Sequence, residues 1–359
     1  MRVLALPAFK NRAENPYNAS LYAALAEIPG VTVEEFTNRR VLTERWDIVH
    51  IHWPDTPLHR TKAGGAALYS FLLVARLFWA RLLGARIVWT VHNLRSHTAR
   101  WPRIEKWLWR AFVPLVHLSI HLSHAGMEMA LECFPGLAAK PSAVVPHGHY
   151  RDSYPNESER WQARRALGID PTAPVIAFAG QIKAYKNVPA LIRAFVQADN
   201  PVAVLLIAGR PGDEAIEAEL RAVAGGHPRI QFHFGLIPDD RMHLYLNACD
   251  LAAFPYRDIL NSGSAILALS FDRPALVPAR GAMAELRETA GADWIYTYDG
   301  ELTGAVLAGA LQKAVDPARP AGCDLAALNW SSVAAGTHAA YRSAAGFGTA
   351  SAYPEAAVA

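Results

Sequence analysis

Cysteine is nearly absent from this chain. Three residues in 359, Cys133, Cys249 and Cys323, stand far apart with no CxxC or Cys/His metal spacing, so neither a disulfide framework nor a zinc site is indicated. A reducing, cytoplasmic setting fits that usage. Long apolar runs are missing as well. The most apolar window, Ala66 to Leu83, is interrupted by Arg76 and Arg81 and falls short of the roughly 20 apolar residues a membrane span requires. Met1 to Pro7 is too short for a signal peptide and reads as a first strand, so export is not expected. There is no GxxxxGK[ST] loop and no GxGxxG after the first strand, which takes away the usual signals of kinases and dehydrogenases. Net charge is small, at +3, but the basicity is concentrated: ten Lys and Arg residues lie between Arg60 and Arg110, against one acid, Glu105.

What is present is a large globular composition, 52% hydrophobic and 19% charged, in a chain long enough for two domains. Strand-like apolar runs alternate with helical patterns throughout, which argues for an α/β fold with parallel sheets built from βαβ units. The first series carries strands at Val3–Leu6, Val31–Phe36, Asp47–Trp53, Arg86–His92, Leu118–Leu122 and Ala143–Pro146. A polar, turn-rich segment from His147 to Asn156 interrupts the pattern and reads as a linker. A second series then runs from Val175 to Tyr298. The expected organisation is a doubly wound domain over 1–150, a second over 151–328, a last helix within 329–345 that packs back toward the first domain, and a mobile tail over 346–359. In open α/β sheets ligands bind outside the carboxyl ends of the strands, so two such domains in series make the interdomain cleft the default site.

Three loops at strand ends carry phosphate chemistry. Ala179-Gly180 leads into a loop with Lys183 and Lys186 before a helix. Ala208-Gly209-Arg210 repeats the device of a glycine followed by a cation. Phe254-Pro255-Tyr256 leads to Asn261-Ser262-Gly263-Ser264, a polar N-cap ahead of the apolar run Ala265–Leu269. A helix start offers unpaired N–H groups and a partial positive charge, and cations beside it suit a nucleotide diphosphate. Each loop taken alone also reads as an ordinary solvated loop or capped helix.

Together with Asn329-Trp330 before a last helix, these loops resemble a GT-B glycosyltransferase, with two Rossmann-like domains and a nucleotide sugar as co-substrate. More narrowly, Asn15-Pro-Tyr17, His50-Ile-His-Trp-Pro-Asp55, Thr90-Val-His-Asn93, His147-Gly-His-Tyr-Arg-Asp152 and Asn261-Ser-Gly-Ser264 resemble the xanthan-type GDP-mannose β-1,4-mannosyltransferases of exopolysaccharide assembly. The likeness extends to about Tyr341. One departure bears on mechanism. Retaining GT-B enzymes of the commonest type carry a pair of Glu residues ahead of a Gly-x-Pro; aligned on Arg273-Pro274, those acids fall at Ile259 and Leu267, and the Gly at Asp272. With both carboxylates missing, the resemblance implies an inverting transfer.

Inversion by direct displacement needs a general base, which in this fold comes from the first domain. Asp55, at the end of the strand Asp47–Trp53 and facing the cleft, and His92, at the end of the next strand, are the candidates; Asp55 also reads as an Asp opening the Thr56-Pro57 turn. His50 and His52 lie in a period-2 strand and read as buried, hydrogen-bonded histidines. Trp101 and Trp107, interleaved with Arg103 and Arg110, suit an anionic membrane surface or a polyprenyl-diphosphate acceptor, and an aromatic core with solvated arginines is the plainer reading. No nucleic-acid module accompanies this basic stretch.

The expectation is a hexosyltransferase moving mannose from GDP-mannose to a glycolipid or oligosaccharide acceptor, peripheral at the inner face of the plasma membrane, without a metal or resident cofactor. Lys183, Lys186, Arg210, Ser262, Gly263, Ser264 and the Gly180 turn would hold the diphosphate, and Tyr256 and Asn261 would shape the sugar pocket. The alternatives are a UDP-glucose or UDP-glucuronate transferase acting on a soluble acceptor, a GT-B epimerase, and a nucleotide-sugar-binding module.

Overall fold

The computed structural model of the chain describes residues 1–96, 100–257 and 260–346. Ile259 and the tail beyond residue 346 lie outside the described residues. The chain divides into two compact units, one of residues 1–148 with 328–359, the other of residues 149–327.

The first unit holds a six-stranded parallel sheet built from β1 (Arg2–Leu6), β2 (Thr32–Glu35), β3 (Ile48–Ile51), β4 (Arg86–Thr90), β5 (Leu118–His121) and β6 (Ser142–Val144), in the order β2-β1-β3-β4-β5-β6. β3 and β5 are buried at every position, as expected of strands covered on both faces. Its helices are α1 (Tyr17–Ala26), α2 (Asn38–Thr43), α3 (Ala63–Leu82), α4 (Pro102–Phe112) and α5 (His124–Cys133). Thr37 caps α2 and Ser123 caps α5, each accepting a backbone N–H of the first turn. The short α2 leaves no clear periodic signal and is absent from the sequence reading.

The second unit repeats the architecture. After α6 (Arg160–Ala166) come β7 (Val175–Ala179), α7 (Val188–Ala198), β8 (Val204–Gly209), α8 (Glu214–Ala224), β9 (Ile230–Phe234), α9 (Met242–Ala248), β10 (Leu251–Ala253), α10 (Gly263–Ser270), β11 (Ala275–Pro278), α11 (Met283–Ala290), β12 (Ile295–Tyr298) and α12 (Gly304–Ala314). The sheet order is β12-β11-β10-β7-β8-β9, all parallel. That is the doubly wound order in which the chain reverses direction between its first and fourth strands, here β7 and β10. α6 was hidden in the sequence by its charge. It is held by Arg164, which is buried and donates to Asp250 at 2.7 Å, to the Ala248 carbonyl and to the Pro171 carbonyl.

The last helix, α13 (Trp330–Ala344), belongs to the first unit, where Val333, Ala334, Ala340 and Tyr341 join Tyr17, Leu21, Tyr22 and Leu25 of α1 in one core. α3 differs in length from the run read in the sequence. It starts three residues earlier and reaches 20 residues, long and apolar enough by length and composition to cross a membrane. Ala66, Ser70, Leu73, Leu77 and Ala80, spaced at helical intervals, are nonetheless buried, and the helix packs against α2 and α4. The opposite face leaves Leu68, Phe71, Phe78, Trp79 and Leu82 exposed.

Candidate active site

In the second unit, the loops after β7 and β10 flank the point where strand order reverses, so topology alone places Gly180–Asn187 beside Tyr256–Ser264. The two loops are tied at their backbones, Arg257 N–H donating to the Tyr185 carbonyl at 2.9 Å. Gly180 has φ +132°, and a side chain there would meet Ser264 Oγ at 3.3 Å and Lys186 Nζ at 3.6 Å. Gly180, Lys186 and Ser264 therefore converge on one point.

Lys186 is buried, with its ammonium 5.5 Å from the Tyr256 ring and 5.7 Å from the Phe178 ring. Burial first, and then the charge of Lys183, push its pKa down to about 7. It makes no ion pair among the described residues. Lys183 is half-buried one turn earlier. α10 starts with Ser262 as its cap, whose Oγ accepts the Ala265 N–H at 3.0 Å. The N–H groups of Gly263 and Ser264 make no backbone hydrogen bond among the described residues and stand at the helix start, where N–H groups suit an anion.

The Tyr256 hydroxyl is buried against Ser262 and Ser264, and burial raises its pKa. Both amide atoms of Asn261 are shielded from solvent without a partner among the described residues. Leaving such groups unmade costs about 1–3 kcal/mol each, which a bound hydroxyl-rich ligand would recover. Arg210 follows β8, its carbonyl accepting from Ile182 N–H at 2.9 Å while its side chain is exposed. Leu267, where the resemblance expects an acid, is a buried apolar residue inside α10.

In the first unit the order reverses between β1 and β3, and Asp55 lies in the loop after β3. It stands four residues past the strand rather than at its end. It opens the turn Thr56–His59 through its backbone only, with the Leu58 N–H donating to its carbonyl at 2.9 Å, while the carboxylate makes no capping bond. That carboxylate is almost fully buried; Oδ2 has no hydrogen-bond partner among the described residues, and His59 Nε2 lies 3.7 Å away.

His92 is half-buried, stacked on Trp53 at 4.6 Å between ring centres, and its Nε2 pairs with His52 Nδ1 at 2.9 Å. Behind it, His52 Nε2 meets the Tyr22 hydroxyl at 2.5 Å, and His50 pairs with Tyr22, Tyr341 and Thr90. Burial holds His92 and His52 well below the usual histidine range, helped in both by neighbouring histidines, and takes His50 down to about 3. The sequence reading of His50 and His52 as buried and hydrogen-bonded matches this arrangement, but the tyrosines and Thr90 were beyond it. Tyr17 packs edge-on against His52, His92 and Trp330, and at a tilt against His147, so residues from five distant motifs meet around one ring. No group of three or more His, Cys, Asp or Glu side chains among the described residues is placed to hold a metal ion.

On α4, Trp107 is exposed and Trp101 donates from Nε1 to the Arg60 carbonyl at 3.0 Å, while Arg103 and Arg110 are exposed. Phe71 of α3 stacks with Trp107 at 6.5 Å, joining the two exposed faces.

Residues 159–270, which span the loops after β7, β8 and β10, match the family model of the glycosyl transferases group 1. With two doubly wound parallel sheets, the chain is a glycosyltransferase of the GT-B fold. The particular likeness is to the GDP-mannose:glycolipid 4-beta-D-mannosyltransferase of Xanthomonas campestris pv. campestris, 28% identical over 322 residues that cover 89% of this chain and 86% of that one. Among solved structures, a sucrose-phosphate synthase from Thermosynechococcus elongatus aligns with a TM-score of 0.68 at 16% identity, covering 95% of this chain and 98% of its own. Anabaena HepE in complex with UDP-glucose aligns at 0.64 and 17% identity, covering 96% and 98%.

Proposed function

We propose that this glycosyltransferase moves mannose from GDP-mannose onto a glycolipid acceptor with inversion at the sugar's anomeric carbon. The observation that carries the proposal is the match to GDP-mannose:glycolipid mannosyltransferases along 89% of the chain. In the reaction the acceptor oxygen forms a bond to C1 as the C1–O bond to the diphosphate breaks. The electron pair leaves on the diphosphate, and the acceptor's proton goes to a base of the first unit, Asp55 or His92. Lys183, Lys186, Arg210 and the N–H groups of Gly263 and Ser264 would meet the leaving charge, and Tyr256 and Asn261 the sugar. Inversion is supported by Leu267, whose apolar side chain stands where a retaining enzyme would carry an acid. The acceptor's lipid would reach the protein from a membrane surface met by the exposed α3 and α4 faces.

A panel of GDP- and UDP-sugars with glycolipid and free oligosaccharide acceptors tests the reading. A β-mannosylated glycolipid formed from GDP-mannose is the expected product. Transfer from UDP-glucose or UDP-glucuronate alone, or conversion of the free donor without an acceptor, would overturn it. Lys183→Ala is expected to lose at least tenfold in kcat/KM for the donor, and wild-type turnover by that variant would remove the phosphate assignment.

A further inference from the structure

The two candidate bases can be separated by accounting for the protons in the buried network behind His92. Six protons must be placed: one on each of Thr90, Tyr22 and Tyr341, and one on each of the neutral imidazoles His50, His52 and His92. The tyrosines keep theirs, because burial raises both above their usual range. The pairs available are Thr90 Oγ1 with His50 Nε2 at 2.7 Å, His50 Nδ1 with the Tyr22 and Tyr341 hydroxyls at 2.9 and 2.7 Å, Tyr22 with His52 Nε2, and His52 Nδ1 with His92 Nε2.

His50 decides the direction, because a neutral imidazole has one acceptor nitrogen. Thr90 is 1% exposed and its hydroxyl pairs with His50 Nε2, while the Tyr341 hydroxyl pairs with His50 Nδ1. Neither hydroxyl has another acceptor among the described residues, so whichever nitrogen carries the His50 proton, one of the two goes without, at a cost of about 1–3 kcal/mol. With His50 so occupied, Tyr22 donates to His52 Nε2, and His52 Nδ1–H to His92 Nε2. The reverse direction, with His92 Nε2–H donating to His52 and His52 to Tyr22, leaves two of the three hydroxyls without an acceptor. The last proton falls on His92 Nδ1, an atom with no hydrogen bond among the described residues, on the one imidazole of the three that is not fully buried.

We propose that His50, Tyr22 and His52 are positioning residues that hold His92 as its Nδ1–H tautomer, a neutral hydrogen-bond donor to an oxygen of the sugar substrates, and that Asp55 is the base. The role given to His92 rests on the glycosyl-transfer reading above; its tautomer does not. The rings' depressed basicity agrees with a neutral donor, since no carboxylate among the described residues is hydrogen-bonded to any of the three imidazoles. Asp55 offers a buried carboxylate oxygen with no partner among the described residues, beside an exposed His59. In the balanced step the acceptor's proton passes to Asp55 while His92 keeps its own.

Full-length protein labelled with 15N-histidine reports the tautomer directly through two-bond 1H–15N correlations, with the His92 signal assigned by loss in His92→Asn. A pyrrole-type Nδ1 is expected, and a pyridine-type Nδ1 overturns the chain whatever the activity. Tyr22→Phe removes the hydroxyl that donates to His52 at nearly constant volume. It should give a mixture of His92 tautomers and a kcat lowered about five- to tenfold with donor KM little changed. An unchanged tautomer in Tyr22→Phe sinks the argument. Because an asparagine amide can stand in for Nδ1–H, His92→Asn should keep transfer within about tenfold, while Asp55→Asn loses 100-fold or more. The reverse ranking makes His92 the base. Absence of transfer in the wild-type protein would overturn the role of His92 and leave the tautomer measurement standing.

Discussion

At the scale of single residues, Lys186 is the group whose chemistry depends most on its surroundings. Its pKa in the fold, about 7, lies far below its unfolded value, so between those two values the unfolded chain binds the extra proton. Stability without ligand should therefore rise as pH increases from about 7 toward the unfolded lysine value. Donor affinity should move the other way. A diphosphate selects the ammonium form, so binding takes up a proton near neutral pH and weakens as pH climbs above 7. Titration calorimetry with GDP in buffers of different ionisation enthalpy checks the proton uptake, and Lys186→Met should abolish it along with most of the affinity. Uptake that persists in that variant would place the titrating group elsewhere. Asp272 is informative in a different way. The resemblance expects glycine there, and the residue does sit at φ +55°, a conformation that Asp tolerates better than most side chains. Its carboxylate also holds Arg151 at 2.7 Å and the Cys323 N–H at 2.8 Å, so the replacement brings contacts glycine could not make.

Among the elements, two close approaches explain glycines that the sequence showed only as turn punctuation. At Gly209, φ is +142° and a methyl group would fall 1.8 Å from the Gly180 carbonyl oxygen. The ends of β7 and β8 can thus meet only without a side chain, and Gly180 in turn stands beside Ser264 of α10. Gly209→Ala is expected to destabilise the protein by about 2–5 kcal/mol, combining backbone strain with a contact that cannot relax. Gly30→Ala, at φ +78° but facing open space, should cost about 1 kcal/mol. Thermal unfolding of the pair separates close approach from backbone conformation, and equal losses would refute the contact argument. Gly148 has a comparable constraint, since an added methyl would sit 2.6 Å from the Trp330 ring.

On the scale of the whole molecule, α3 and α4 carry the main grouping of exposed apolar residues among the described residues. Leu68, Phe71, Phe78, Trp79 and Leu82 of α3 adjoin Trp107 of α4, with Arg103 and Arg110 exposed nearby, in a stretch holding ten basic residues and one acid. Aromatic rings at headgroup depth with cations on anionic lipid are the chemistry of an interfacial helix pair. Flotation with anionic vesicles should carry the wild-type protein. Phe78→Ser/Trp79→Ser should abolish it, and added salt should weaken it by screening the arginines. Flotation unchanged in the double variant, or wild-type protein that stays at the bottom of the gradient with anionic vesicles, would refute a membrane role for this face.

The sequence by itself determined the alternation of strands and helices, because burial on both faces of a parallel sheet demands continuous apolar runs separated by amphipathic helices. It also placed glycine, lysine and N-cap residues together at strand ends, because these are local features that are legible without knowledge of contacts. Charge masked α6, whose Arg164 is paired with an aspartate 86 positions away, and brevity masked α2. Only the tertiary structure decided which way Lys186 points, how deeply Asp55 is buried, and that Thr90, His50, Tyr341, Tyr22, His52 and His92 form a single chain. Those facts depend on side chains from residue 22 to residue 341 meeting in one dry core, where an unpaired proton carries a cost that no local pattern of residues can register.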